Sequence, residues 1–248
     1  MPPTADSDLR AMDNFAHRLQ TVRQRIAAAA RQCGRPTESI ELLAVSKTFP
    51  LAAVDAVAAA GQRAFGENYA QEGTEKASAR PDLEWHFIGP IQSNKTRGIA
   101  EHFAWVHSVD RLKIAERLSA QRPPELAAMQ ICVQVNISEE ASKSGCEPEA
   151  TLALCQAIAA LPRLKLRGLM AIPEATHDEA TQRRHFAALR QLQSGINAAD
   201  PSLHLETLSM GMSDDLEAAI AEGATIVRIG SAIFGQRTPT NNPVSTEL

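Results

Sequence analysis

Ile40-Glu41-Leu42-Leu43-Ala44-Val45-Ser46-Lys47-Thr48-Phe49-Pro50 is a short apolar run that ends abruptly in a lysine. Apolar and β-branched residues bounded by a Pro-containing turn read as a buried strand, because about seven residues are too few for a buried helix. Alternation along that strand puts Leu43, Val45 and Lys47 on one side. An ammonium at the mouth of an apolar wall loses solvation, which favours the neutral amine, and a neutral amine is a nucleophile. A strand-end lysine can equally send its head out to water, so residue 47 takes its meaning from the rest of the chain.

Outward from this run one pattern recurs: apolar strand, polar turn, amphipathic helix. Strands are expected at 40–46, 63–66, 84–88, 104–109, 130–136, 166–170, 205–209 and 225–229. Helices are expected at 51–60, 69–79, 94–101, 111–121, 148–160, 178–198 and 214–222. Eight strands with intervening helices, repeating every roughly 25 residues, is the count of an α/β fold of the (β/α)8 TIM-barrel type. A doubly wound open sheet is the alternative, but it usually has fewer strands and a G-x-G-x-x-G turn after the first, and no such turn follows strand one. Before the barrel, Leu9, Met12, Phe15, Leu19, Val22 and Ile26 make one helical stripe from about Asp6 to Cys33, stopped by Gly34 and Pro36. The reading is one barrel domain over 1–248 with this extra N-terminal helix packed across it. Order is expected from about 8 to 237, and the turn-rich tail from Gly235 to Pro243 is expected to be flexible.

Composition narrows the functional class. The 248 residues carry a formal charge of −4, with no basic surplus to meet nucleic acid. Apolar runs are interrupted by Arg, Glu or Gln before reaching membrane-spanning length. Met1-Pro2-Pro3-Thr4-Ala5-Asp6 lacks a basic and apolar signal pattern, which points to the cytoplasm. Cys33, Cys132, Cys146 and Cys155 match no metal-ligand spacing and are expected to be free thiols, mostly in the core.

In a barrel the C-terminal strand ends converge on one face, where sites form. The loop Ser209-Met210-Gly211-Met212-Ser213-Asp214-Asp215 follows strand seven, with Ser213 or Asp214 the expected cap of the next helix. Gly230-Ser231-Ala232-Ile233-Phe234-Gly235 follows strand eight and has room for a one-turn helix. Barrels hold phosphate at these two loops, because backbone N–H groups and a helix N-terminus point at the anion. Capping and turn formation would place Ser and Gly there too. Arg228, at the end of strand eight, either pairs outward with a residue such as Glu222 or faces inward as a permanent donor to a neutral nitrogen. An amine, an anion cradle and an arginine together suit a phosphorylated aldehyde with a ring nitrogen, pyridoxal 5′-phosphate (PLP).

These same stretches closely resemble the pyridoxal phosphate homeostasis proteins. The resemblance is carried by Leu42-Leu43-Ala44-Val45-Ser46-Lys47, Phe65-Gly66-Glu67-Asn68-Tyr69, Trp85-His86-Phe87-Ile88-Gly89-Pro90-Ile91-Gln92-Ser93-Asn94-Lys95 and Ser142-Lys143-Ser144-Gly145. Arg167-Gly168-Leu169-Met170, Leu208-Ser209-Met210-Gly211-Met212-Ser213-Asp214-Asp215 and Val227-Arg228-Ile229-Gly230-Ser231-Ala232-Ile233-Phe234-Gly235 continue it, so it spans about residues 8 to 237. It implies a single barrel like the N-terminal domain of alanine racemase, with Lys47 carrying PLP as a Schiff base. Ser209, Gly230 and Ser231 would then hold the phosphate, with Met210, Gly211, Met212 and Ser213 of the loop after strand seven also at the cofactor. Arg228 would face the pyridine nitrogen, and Asn68 and His86 would lie near the ring.

The resemblance implies a non-catalytic carrier in PLP homeostasis that hands cofactor to apo-enzymes. The alternative is a single-domain PLP-dependent amino-acid racemase. A racemase needs a proton donor on each face of the substrate carbon, and Lys47 is the one evident donor. Tyr69, the sole tyrosine, reads as core or rim packing. Glu67 reads as a base or a satisfied buried carboxylate, Lys95 and Lys143 as loop lysines open to anionic ligands, and His17, His102, His177, His185 and His204 as surface histidines. No metal is expected. The N-terminal helix covers apolar surface, which favours a monomer.

Overall fold

The fold, taken from a computed structural model, is described for residues 5–138 and 144–236. Lys143 and the tail beyond Gln236 lie outside these residues, as do the side chains of Leu9 and Met12. Helix α1 (Ala5–Gln32) precedes β1 (Glu41–Val45), α2 (Leu51–Ala59), β2 (Ala64–Glu67), α3 (Ala70–Ala79), β3 (Glu84–Phe87), α4 (Thr96–His102) and β4 (Trp105–Val109). There follow α5 (Leu112–Gln121), β5 (Met129–Gln134), α6 (Pro148–Ala159), β6 (Leu164–Met170), α7 (Glu179–Ala199), β7 (Thr207–Ser209), α8 (Leu216–Ala221), β8 (Ile226–Ile229) and the one-turn α9 (Ser231–Phe234).

The strands are parallel and close in chain order, with β8 paired back onto β1. Parallel neighbours need a crossover, and each helix covers the outer face of the strands it joins, so both faces of every strand are buried. The period of two along β1 sorts its side chains between two cores. Leu43 and Val45 point into the barrel with Ala64, Ile88 and Ile226. Leu42 and Ala44 join the larger core between strands and helices. Element order agrees with the pattern in the sequence, and most ends move by a residue or two. Two-residue shifts shorten β7 at its start and β5 at its end and lengthen β6 at its start. Beyond Gln134 the chain turns to Cys146, which accepts from the Asn136 N–H at 2.9 Å.

Helix α1 buries Leu19, Val22 and Ile26 and packs across α2, α8 and α9. It stops where Gly34 takes a left-handed φ of 65°, letting the Arg35 N–H reach the Ala30 carbonyl at 2.9 Å. That bond ties off a helix-end carbonyl, as a Schellman turn does. The four cysteines are free, with Cys132 and Cys155 buried, Cys146 half-buried and Cys33 exposed. Among the described residues no helix is long and apolar enough to cross a membrane.

The barrel interior is not uniformly apolar. His86, His107, Ser209 and Arg228 all project inward and are buried.

Candidate functional site

At the C-terminal mouth lies a cavity of about 440 Å³, within the range of small-molecule sites. Lys47, Asn68 and Arg228 line it, over an apolar floor from Val45 and Ile88. Met212, Ser213, Gly230 and Ser231 line the side nearest α9. Asn68 is held with its Oδ1 buried and without a hydrogen-bond partner. Buried polar atoms are normally paired, so this amide is a group a ligand would satisfy.

The turn that carries Lys47 is clamped from below. Lys76 Nζ, buried under α3, donates to the Ser46 carbonyl at 2.9 Å, to Glu67 Oε1 at 2.7 Å and to Glu72 Oε1 at 2.6 Å. Ser46 Oγ also donates to Glu67 Oε1, at 2.6 Å, and the Thr48 N–H donates to Glu72 Oε1 at 2.7 Å. The residues on both sides of Lys47 are therefore fixed by one ammonium and two carboxylates. Burial pushes the Glu67 carboxyl up, against the pull of Lys76 and Ser46. Thr48 adopts a left-handed φ of 68°, a strained conformation for a β-branched residue. The clamp supplies the bonds that hold it.

The opposite end of the cavity is built from two loops. Ser213 Oγ lies 3.4 Å from the Ala232 N–H in the first turn of α9 and 3.2 Å from Ser231 Oγ. A pair of hydroxyls beside a helix N-terminus is a cradle for an anion. Gly211 makes the approach possible: its φ is 94°, and an added Cβ would sit 2.5 Å from the Ala219 methyl. Contrary to expectation, neither Ser213 nor Asp214 caps α8. The helix begins later, after Asp215, whose carboxylate turns back to accept the Met212 N–H at 2.6 Å.

Arg228 faces inward, not towards Glu222, which pairs instead with Arg183 and Arg190. Its Nη1 donates to Ser209 Oγ and its Nη2 to the Ala171 carbonyl, both at 2.9 Å. Burial lowers its pKa to about 10, with the Asp215 carboxylate opposing that fall. Remaining N–H groups of the five-donor fork are left for the cavity that Arg228 lines.

The expected site residues thus divide. Lys47, Asn68, Met212, Ser213, Arg228, Gly230 and Ser231 meet at the cavity, whereas His86, Ser209, Met210 and Gly211 lie off its wall. The Ser209 hydroxyl is fully buried and bonded to His107 Nδ1 at 2.7 Å and to Arg228. The period of two along β7 turns it into the barrel, off the cavity wall where the phosphate role was expected. Met210 takes the opposite face and packs in the outer core. His86 sits deeper, with Nδ1 2.9 Å from His107 Nε2 and Nε2 2.9 Å from Glu84 Oε1. Glu67 is a buried carboxylate held at Oε1 by Lys76 and Ser46, with Oε2 left without a partner, and it lies off the cavity. Tyr69 stands 53% exposed at the start of α3 and Lys95 is exposed. Two residues of this network had no role assigned from sequence, His107, noted only at the end of strand four, and Lys76. His107 was discoverable from the alternation of β4, whereas Lys76 sits in a helix of ordinary polar pattern and left no signal.

The family model described as alanine racemase, N-terminal domain, matches residues 12–238. The pyridoxal phosphate homeostasis protein of Pseudomonas aeruginosa is 60% identical over 228 residues, covering 91% of this chain and 97% of the relative. That of Escherichia coli is 53% identical over 234 residues, covering 91% and 98%. Among solved structures, PipY of Synechococcus elongatus with PLP bound superposes with a TM-score of 0.78 at 38% identity, covering 89% of this chain and all of that one. Alanine racemase from Corynebacterium glutamicum shares the fold alone, with a TM-score of 0.65 at 16% identity over 91% of this chain and 62% of that one. A closed barrel, a clamped lysine at the end of its first strand and relatives matched along almost their whole length lead to one statement: the chain belongs to the pyridoxal phosphate homeostasis protein family, whose barrel is that of the alanine racemase N-terminal domain.

Proposed function

We propose that the chain binds PLP at the Lys47 cavity and keeps it as a carrier, without turning over a substrate of its own. The observation that carries this is the meeting, around one cavity, of a clamped lysine, an inward arginine and the Ser213–Ser231 hydroxyl pair. PLP supplies an aldehyde that condenses with primary amines and a ring that withdraws electrons from what is attached to it. Lys47 is the amine placed to hold that aldehyde. Ser213, Ser231 and the backbone at Gly230 take the phosphate, with Met212 against it. Arg228 donates to the ring nitrogen. Because a guanidinium does not hand over its proton, that nitrogen stays neutral and the ring remains a weak electron sink. Asn68 closes the wall, and its amide gains the partner it lacks.

The carrier reading extends to a monomer in the cytoplasm that passes PLP to apo-enzymes. It is supported by the name of the relatives, by free cysteines and by α1, which covers the outer faces of α2, α8 and α9. The test uses purified protein incubated with PLP. Wild type develops the absorbance of a lysine-bound cofactor, and borohydride followed by peptide mapping puts the pyridoxyl group on residue 47. Lys47→Ala develops neither. An adduct elsewhere overturns the site, and sustained racemisation of D- or L-alanine by the loaded protein overturns the carrier role.

A further inference from the structure

Arg228 is one end of a hydrogen-bond chain that runs through the barrel to the opposite mouth. Four links join it to Glu84: Arg228 Nη1 to Ser209 Oγ at 2.9 Å, Ser209 Oγ to His107 Nδ1 at 2.7 Å, His107 Nε2 to His86 Nδ1 at 2.9 Å, and His86 Nε2 to Glu84 Oε1 at 2.9 Å. The three inner residues are 0% exposed, whereas the Glu84 side chain is 47% exposed at the start of β3.

The ends fix the direction of the outer links, and neutral rings carry that direction through the inner ones. A guanidinium can only donate and a carboxylate can only accept. Ser209 Oγ accepts from Arg228 and, with His107 Nδ1 unprotonated, gives its own proton to that nitrogen. His107, neutral, then carries its proton on Nε2 and donates to His86 Nδ1. His86 in turn carries its proton on Nε2 and donates to Glu84. In this arrangement both rings are neutral, both have the same tautomer, and each ring nitrogen has one partner. His86 also stacks on Trp105, with ring centroids 5.3 Å apart and planes 12° apart, which holds its ring in this orientation. Glu41 lies beside the outer end, a carboxyl oxygen within 4.8 Å of one of Glu84 and of a His86 ring nitrogen. That spacing would admit a cation, but the chain needs His86 Nε2 as a donor and so removes it as a ligand. The other charges near the chain are Arg167, over Trp105 at 5.9 Å, and Asp215 beside Arg228.

We infer that Glu84 is the remote counter-ion of Arg228, and that Ser209, His107 and His86 are positioning residues that lock the guanidinium through a single directed chain. Such chains polarise each link in turn and strengthen as their ends become charged. Arg228 is thereby oriented from behind while keeping free donors for the cavity, an arrangement that a direct carboxylate partner would spoil by occupying those donors. The ligand face and the N-terminal mouth become one electrostatic unit, so a change at Glu84 reaches the ring-nitrogen site across the barrel. The effect on ligand rests on the PLP reading above; the chain itself does not.

Nitrogen-15 NMR of the histidine side chains in ligand-free protein at neutral pH tests the chain, and PLP titration tests its effect. His86 and His107 are expected as neutral Nε2–H tautomers. In Glu84→Ala, an exposed position whose loss leaves the fold intact, the His86 and His107 resonances shift towards mixed tautomers. The same variant binds PLP about threefold to thirtyfold more weakly, whereas Glu84→Gln, which keeps an acceptor, falls between it and wild type. An Nδ1–H tautomer at either ring, or resonances unmoved by Glu84→Ala, overturns the proposal. So does an unchanged PLP affinity in a variant whose tautomers have shifted. Wild-type protein that takes up no PLP would refute the function reading alone, since the tautomers are measured without ligand.

Discussion

Lys76 Nζ lies 2.7 Å from Glu67 Oε1, beneath the turn that presents Lys47. Lys76 is 6% exposed and Glu67 0%, so neither charge has water to fall back on. Removing one partner of a buried pair strands the other, at a cost of about 3–5 kcal/mol. Lys76→Met is therefore expected to lose that much unfolding free energy in a denaturant titration. Adding Glu67→Gln to it should recover part of the loss, because the fully buried charge is then gone and only the partly exposed Glu72 lacks its ammonium.

Ser213 and Ser209 sit four residues apart and are expected to fail differently. Ser213→Ala removes a hydroxyl from the cavity and should weaken PLP by about tenfold, the value of a hydrogen bond to a charged group, with stability little changed. Ser209→Ala leaves His107 Nδ1 and an Arg228 N–H unsatisfied inside the barrel, costing about 1–3 kcal/mol of stability. Affinity by fluorescence titration and stability by urea melts, measured on both variants, separate the two roles.

His107 makes stability depend on pH. Burial is the main force holding its pKa well below the ordinary histidine value, with the Arg228 guanidinium adding to the shift. Above about pH 6.5 both folded and unfolded chains carry a neutral ring, so His107 contributes no slope. Below it the unfolded chain takes up a proton that the folded chain refuses, and stability falls by about 1.4 kcal/mol per pH unit. His107→Gln should be flatter than wild type by that slope between about pH 6.5 and 5 in denaturant melts.

Gly89 closes the loop after β3 against the backbone of Asn68, and a Cβ placed there would overlap the Asn68 carbonyl. Backbone cannot yield as a side chain end can, so Gly89→Ala is expected to cost about 2–4 kcal/mol and to displace Asn68 from the cavity wall. Thermal melts and PLP titration check the two effects together.

Gly66 and Gly89 already stood in the sequence as strand-end glycines, yet only Gly89 meets a backbone carbonyl; Gly66 meets the flexible ends of Leu43 and Ile88. The difference depends on which chain passes behind each residue, and that passing chain comes from another strand.

What the sequence determined by itself was local and periodic. Leu43, Val45 and Lys47 share a side because successive residues of a strand alternate, and the repeat of strand, turn and helix names a barrel before any contact is known. The loops after β7 and β8 were legible for the same reason, since chain order places them side by side. Only the tertiary structure decided which polar residues face the cavity and which are spent inside the barrel. His107 and Ser209 are 102 residues apart, and Lys76 is 30 residues from the carbonyl it clamps. Bonds of that span depend on the angle at which strands tilt and close, and a window of neighbouring residues carries no record of that angle. Ser209 and Ser213 look alike as sequence; one became a link in a buried chain and the other the wall of a cavity, because the pleat of β7 turned the first inward and the loop carried the second to α9.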